Sequence, residues 1–266
     1  MVRKPVVAGQ FYAGDKGRLE KDLDDMIPQQ KEKINVIGAV SPHAGYVYSG
    51  AVAGLVYGRL SPADVYIILS PNHTGYGARF ALSAESWSTP LGEVQVDGKI
   101  ASSLTDKTKL IEENRDAHAY EHSVEVQIPF IQRVSPRAKI VPMTVQSGSP
   151  AELEEVAGAI ASSIMESGQK ATIIASSDMT HYESRDSASK KDRLAIQKIL
   201  DLDPEGLLNV VKEMDISMCG CIPAAIMLMA SKKLGAKKAE LVHYTDSGDV
   251  TGDTFQVVGY AGIIVF

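Results

Sequence analysis

Three stretches of apolar chain end in the same way, and that shared ending constrains the fold more than any other feature. "VIGAVSPHAGYVYSG" runs into Ser41-Pro42 and delivers His43, and "IILSPNHTGYG" runs into Ser70-Pro71 and delivers His73. "TIIASSDMTHY" runs into Ser176-Ser177 and delivers Asp178 and His181. Short continuous runs of Val, Ile, Leu and Ala bounded by turn residues are the pattern of strands covered on both faces. If the three runs are neighbours in one sheet, their carboxyl ends lie side by side and the polar residues converge on one crevice. That edge is where open α/β sheets keep their sites.

The remainder of the chain fits this arrangement. Further strands are expected at 80–84, 139–145, 240–244 and 256–265, beside those at 35–40, 65–69 and 171–175. Helical spacing falls at 15–27, 49–60, 119–133, 151–167, 186–201, 204–213 and 222–234. The alternation gives an α/β fold, a central mainly buried sheet with helices on both faces. At 266 residues with no linker-like stretch, residues 1–266 read as a single domain. The segment "SAESWSTPLGEVQVDG", which holds Trp87, reads as a surface loop or short hairpin.

Several functions are excluded. A net charge of -6 with scattered lysines gives no footprint for nucleic acid. The longest apolar runs, such as "AAIMLMA", are too short to span a bilayer, and no apolar secretory segment follows the basic residues near Met1, so a cytoplasmic location is expected. Cys219 and Cys221 stand one residue apart, which makes a mutual disulfide awkward and leaves them as thiols. "GYVYSGAVAG" lacks the spacing of a dinucleotide loop and the lysine of a P-loop. "YTDSGDVTGD", with Asp246, Asp249 and Asp253, lacks the distal glutamate of an EF-hand and reads as a polar loop.

Proline and glycine flank both His43 and His73 and fix tight turns, which fixes the imidazoles. Two imidazoles at equivalent strand ends are the start of a transition-metal site that needs a third N, O or S donor. Asp178 and His181 are candidates to complete it. So is Cys219, at a loop-to-helix entry where Gly220 lets the backbone approach. A rival pattern is "HAYEH", His118 to His122, which matches the H-x-x-E-H of inverted zinc proteases with Glu121 as prospective base. The helical spacing of "SVEVQIPFIQRV" favours reading it as a helix start whose second histidine turns into the protein, so that His118 and His122 serve folding first.

Taken together and in order, "AGQFY", "PHAGYVYSG", "LSPNH", "EHSVEVQIPF", "SSDMTHY" and "MCG" resemble the Memo family over essentially the whole chain. That family resembles the catalytic subunit of class III extradiol ring-cleaving dioxygenases, in which two histidines and a glutamate hold Fe(II) and a further histidine does acid-base chemistry. The resemblance implies His43 and His73 as imidazole ligands, Cys219 in the glutamate's place, and His181 as the acid-base residue beside Asp178. It implies iron, with copper and zinc as alternatives, and redox chemistry on an unknown small molecule. In eukaryotes it also implies signalling through phosphorylated partners. A thiolate in place of a carboxylate softens the site, so ring cleavage does not carry over with the ligands. A metal-dependent hydrolase and a non-catalytic module receiving a peptide or small ligand in the same crevice remain as alternatives.

Overall fold

The computed structural model describes residues 1–29 and 33–266. In chain order its elements begin with β1 (Val2–Arg3), α1 (Lys16–Met26), β2 (Gly38–Ser41), α2 (Tyr46–Arg59) and β3 (Val65–Pro71). There follow β4 (Phe80–Leu82), β5 (Ser86–Thr89), β6 (Gly92–Val94), α3 (Gly98–Lys107), β7 (Ile111–Glu113) and α4 (Asp116–Ala119). A 3-10 turn at Glu125–Gln127 leads into α5 (Ile128–Val134), then β8 (Lys139–Val145), α6 (Pro150–Ser167), β9 (Ala171–Ser176) and β10 (His181–Glu183). The remainder is α7 (Arg185–Leu200), α8 (Pro204–Glu213), α9 (Cys221–Lys233), β11 (Ala239–Asp246), α10 (Gly248–Thr251) and β12 (Val257–Val265).

Nine strands form one sheet in the order β10-β12-β2-β9-β3-β8-β4-β7, with β11 also paired to β12. The centre is parallel: β2 pairs with β9, β9 with β3 and β3 with β8. The three apolar runs are therefore adjacent strands, and Ser41 lies opposite Ser176 in register. Every residue of β2 and β3 is buried. Successive residues of β3 feed opposite cores. Val65, Ile67 and Leu69 join the cluster packed by α3, α6, α7, α8 and α9, while Tyr66 and Ile68 join the one packed by α1, α2 and α5. This period of two explains why the runs are apolar throughout, since each face of the sheet is covered.

Local chemistry sets the element ends. Ser149 and Glu152 form a reciprocal capping box at the start of α6, and Gly168, in the left-handed conformation, ends it. Asp15, Asp97, Ser184 and Asp203 cap α1, α3, α7 and α8 with their side-chain oxygens.

Two expectations are corrected. The segment around Trp87 is a hairpin, β5 and β6, but it pairs with β1 in a separate three-stranded sheet and Trp87 is fully buried. Its ring is covered by the Arg3 guanidinium, 4.3 Å from the centroid, and its Nε1 donates to Ser83 Oγ at 3.2 Å. The single helix expected over 119–133 is broken into α4, the 3-10 turn and α5. Side chains take the backbone donors that a continuous helix would have used. Glu121 accepts the Ser123 N–H at 2.9 Å, and Pro129 then starts α5.

Candidate metal centre

The carboxyl ends of β2, β9 and β3 lie side by side at one edge of the sheet, and the turns beyond them carry the polar residues. His43 follows β2 by two residues and is buried. His73 follows β3 by two residues and is exposed. A third imidazole joins them from the irregular segment after α4: one ligand atom each from His43, His73 and His122 lies within 4.8 Å of the others. The His73 and His122 rings stack at 4.7 Å, and the His43 ring stands edge-on to both, at 5.2 and 5.5 Å.

Behind this cluster lies Glu121, fully buried. It accepts the His73 N–H at 2.6 Å and sits 2.9 Å from His73 Nδ1. The Ser123 N–H and hydroxyl add bonds of 2.9 and 2.6 Å, and His122 Nδ1 lies 3.5 Å away. A carboxylate only accepts, so the His73 proton is on Nδ1 and the Nε2 lone pair is left for the crevice. Burial alone would push the Glu121 carboxyl up, but the donors from His73 and Ser123 overcome it and hold the group down at about 2. Burial pushes His43 well below the ordinary histidine value, reinforced by His122 and His73. Burial also lowers His122. Imidazoles kept neutral in this way have the protonation state that metal ligation needs.

Cys219 and Asp178 border the cluster on the His43 side. Cys219 Sγ is 3.3 Å from His43 Nε2 and accepts the Asp178 N–H at 3.3 Å. Burial, with the nearby Asp178 charge second, raises the Cys219 thiol. Asp178 Oδ1 accepts the His43 N–H at 2.7 Å, fixing the turn that presents the ring, and burial raises its carboxyl to about 6. Gly220 makes the approach of α9 feasible, because a Cβ there would run into the Ser176 carbonyl and the Ser177 side chain.

His181 stands apart from the three-histidine cluster, though close enough for its charge to bear on His43 and Asp178. His181, expected beside Asp178, makes its hydrogen bonds elsewhere. His181 Nδ1 lies 2.9 Å from the Ser217 carbonyl and its backbone N–H donates to Ser217 Oγ at 2.7 Å, both in the loop before α9. The proton is again on Nδ1 and Nε2 is left free.

The "HAYEH" pattern divides. His118 ends in α4 with Nε2 at 3.1 Å from the Ala81 carbonyl and its ring edge-on to Trp87 at 5.8 Å, and burial lowers it to about 4. It is the first histidine of the pair that turns into the packing, and the second that reaches the crevice. The two do not share a helix face, so the protease-like geometry is not formed. Phe11 closes the same side against His122, with ring centroids 4.9 Å apart. The acidic loop before β12 is occupied by a cation of the chain itself, since Arg185 bonds Asp246 and Asp249 at 2.6 and 2.7 Å.

A family model described as Memo-like protein matches residues 3–264. The chain is 45% identical over 267 residues to a MEMO1 family protein of Methanosarcina barkeri, covering 99% of this chain and 100% of the relative. It is 41% identical over 281 residues to a MEMO1 family protein of Sulfurisphaera tokodaii, covering 99% of each. Among solved structures, the uncharacterized protein JW3007 from Escherichia coli K12 superposes with a TM-score of 0.58 at 11% identity, over 86% of this chain and 99% of that one, a likeness of fold alone.

Proposed function

The chain belongs to the Memo-like protein family, and from that premise we propose that it is a metal-binding redox protein whose ion is held by His43, His73 and His122 with the Cys219 thiol as a fourth donor. The observation that carries this reading is the meeting of three imidazole nitrogens within 4.8 Å at the carboxyl edge of the parallel sheet, two on the turns after β2 and β3, which flank β9, and the third on the segment after α4. The donor set suits the ion. Imidazole serves iron, copper and zinc alike, and sulfur donors are found with copper(I), zinc and iron–sulfur centres. We take iron as the resident ion, with copper and then zinc as the alternatives. When bound, such an ion supplies a redox-active, Lewis-acidic centre for an unknown small molecule.

The residues around it divide the remaining work. Glu121 orients His73, and Asp178 holds the His43 turn. His181, with Nδ1–H engaged by the Ser217 carbonyl, would accept a proton at Nε2 from a molecule entering the crevice. A second reading has a specific observation behind it: three imidazoles without a carboxylate are also the donor set of catalytic zinc sites, which would make the protein a hydrolase.

Elemental analysis of protein purified anaerobically without added metal separates these readings. Iron or copper near one equivalent supports the redox protein, and zinc moves the reading to the hydrolase. Alanine variants at His43, His73 and His122 are each expected to lose most of that metal. Stoichiometric metal retained in all three would refute the site. Cys219→Ala is expected to weaken binding less and to lower the preference for copper over zinc.

A further inference from the structure

The His43 ring is backed by no carboxylate. Its Nδ1 lies 3.0 Å from Ser176 Oγ, at the last residue of β9. A hydroxyl can donate or accept, so this contact alone leaves the tautomer open. The surroundings close it. Ser176 Oγ is 2.7 Å from the Ser123 carbonyl, which only accepts, and 2.8 Å from Gln127 Nε2, which only donates. The Gln127 amide has a single workable orientation. Its Nε2 also faces the Pro42 and Ser41 carbonyls at 2.9 and 3.3 Å, and its Oε1 receives the Tyr57 hydroxyl at 3.0 Å. Flipping it would set an amide oxygen against two carbonyls.

Every member of this network is buried, so water does not supply the missing partners cheaply. The one Ser176 proton goes to Ser123, one lone pair takes Gln127, and the remaining lone pair has only His43 Nδ1 to receive from.

Resting on the metal-site reading above, we infer that Ser176, held by Gln127 and Ser123, is a positioning residue that fixes His43 as its Nδ1–H tautomer and so presents Nε2 to the cluster. Ser123 joins this device to the one behind His73. Its hydroxyl donates to Glu121 and its carbonyl receives Ser176, so one residue serves the orientation of rings from two different strands. In the metal-free protein the His43 Nε2 lone pair faces the Cys219 thiol at 3.3 Å, the arrangement in which S–H donates to it. Partners of ligating histidines that fix ring orientation are typically worth about 10- to 100-fold in metal affinity.

Long-range proton–nitrogen correlation spectra of metal-free, nitrogen-15-labelled protein read the tautomer of each ring directly. The expected result is an Nδ1–H tautomer at His43 and at His73 in the parent. In Ser176→Ala, His43 alone should shift toward Nε2–H, with His73 unchanged because Glu121 is untouched. If Ser176→Ala does not fold, Ser176→Cys, a weak acceptor of nearly the same size, should give the same selective shift. An Nε2–H tautomer at His43 in the parent, or an unshifted His43 in the variant that folds, overturns the inference. Titration with Co(II) then gives a separate reading, with Ser176→Ala expected to bind about 10- to 100-fold more weakly. A parent that binds no metal while His43 shifts selectively would sink the metal site and leave the tautomer assignment standing. Equal Co(II) affinity in parent and variant would overturn the positioning role.

Discussion

At the scale of single residues, Glu121 binds the crevice together. It is a buried carboxylate with four donors from two residues, and it holds the His73 ring. Its folded value of about 2 lies below the ordinary 4.5, so the stability it contributes is present above about pH 4.5 and is lost as pH falls toward 2. That depression corresponds to about 3 kcal/mol. Urea midpoints of the metal-free protein are expected to fall across this window, and Glu121→Gln is expected to flatten the fall while lowering stability at neutral pH. Parallel acid limbs for parent and variant would show that Glu121 does not carry the effect. His43 and His73 were legible in the sequence because proline and glycine marked their turns. Glu121 and His122 were visible only as a pattern with helical spacing. What breaks that helix is a side chain capturing a backbone N–H, and spacing does not report such a capture.

At the scale of elements, the site depends on how closely α9 can come to the end of β9. Gly220 permits that approach, and its N–H donates to Ser177 Oγ at 2.9 Å. Gly220→Ala is expected to push the α9 entry outward, at a cost of about 1–3 kcal/mol for the overpacked contact. Cys219 would move with it. The expected readouts are a lower urea midpoint and faster labelling of Cys219 by a thiol reagent. An unchanged labelling rate would mean that the loop before α9, and not Gly220, sets the position of the thiol. The central strands were readable because burial on both faces makes them apolar at every position. The short strands β1, β7 and β10, of two or three residues each, were not, since they carry too few side chains for any period to show.

At the scale of the whole molecule, the N-terminal segment is fastened across the structure by Glu125. This buried carboxylate pairs with Arg3, accepts the N–H groups of Val6 and Val7, and receives the Tyr12 hydroxyl at 2.8 Å. Arg3 also covers Trp87, the only tryptophan, so its emission reports on the docking. Arg3→Ala leaves Glu125 without its cation and is expected to cost about 3–5 kcal/mol. Its Trp87 emission should shift to the red as water reaches the ring, and an emission maximum and stability equal to the parent's would refute this fastening. Trp87 was expected at the surface because its segment is rich in turn residues. It is buried in the core cluster beside α1, α2 and α5, with an arginine far away in sequence over its ring, contacts that local composition does not encode.

The strand that leads to His43 is held between β9 and β12, one parallel and the other antiparallel. Both partners are drawn from the second half of the sequence, and His43, His73, His122 and Cys219 are themselves dispersed along it. The crevice thus rests on contacts between segments far apart in sequence, the kind whose loop-closure entropy must be met before they are formed. While the chain is being made, the histidines that come first have no neighbours to share an ion with, and the His43 turn lacks its Asp178 clamp. On the metal-site reading proposed above, an ion would find its full set of donors only after the second half of the chain has been made. Until β2 has both its partners, the same reading leaves the thiol and three imidazoles as separate donors, without the shared geometry that would let them choose between ions.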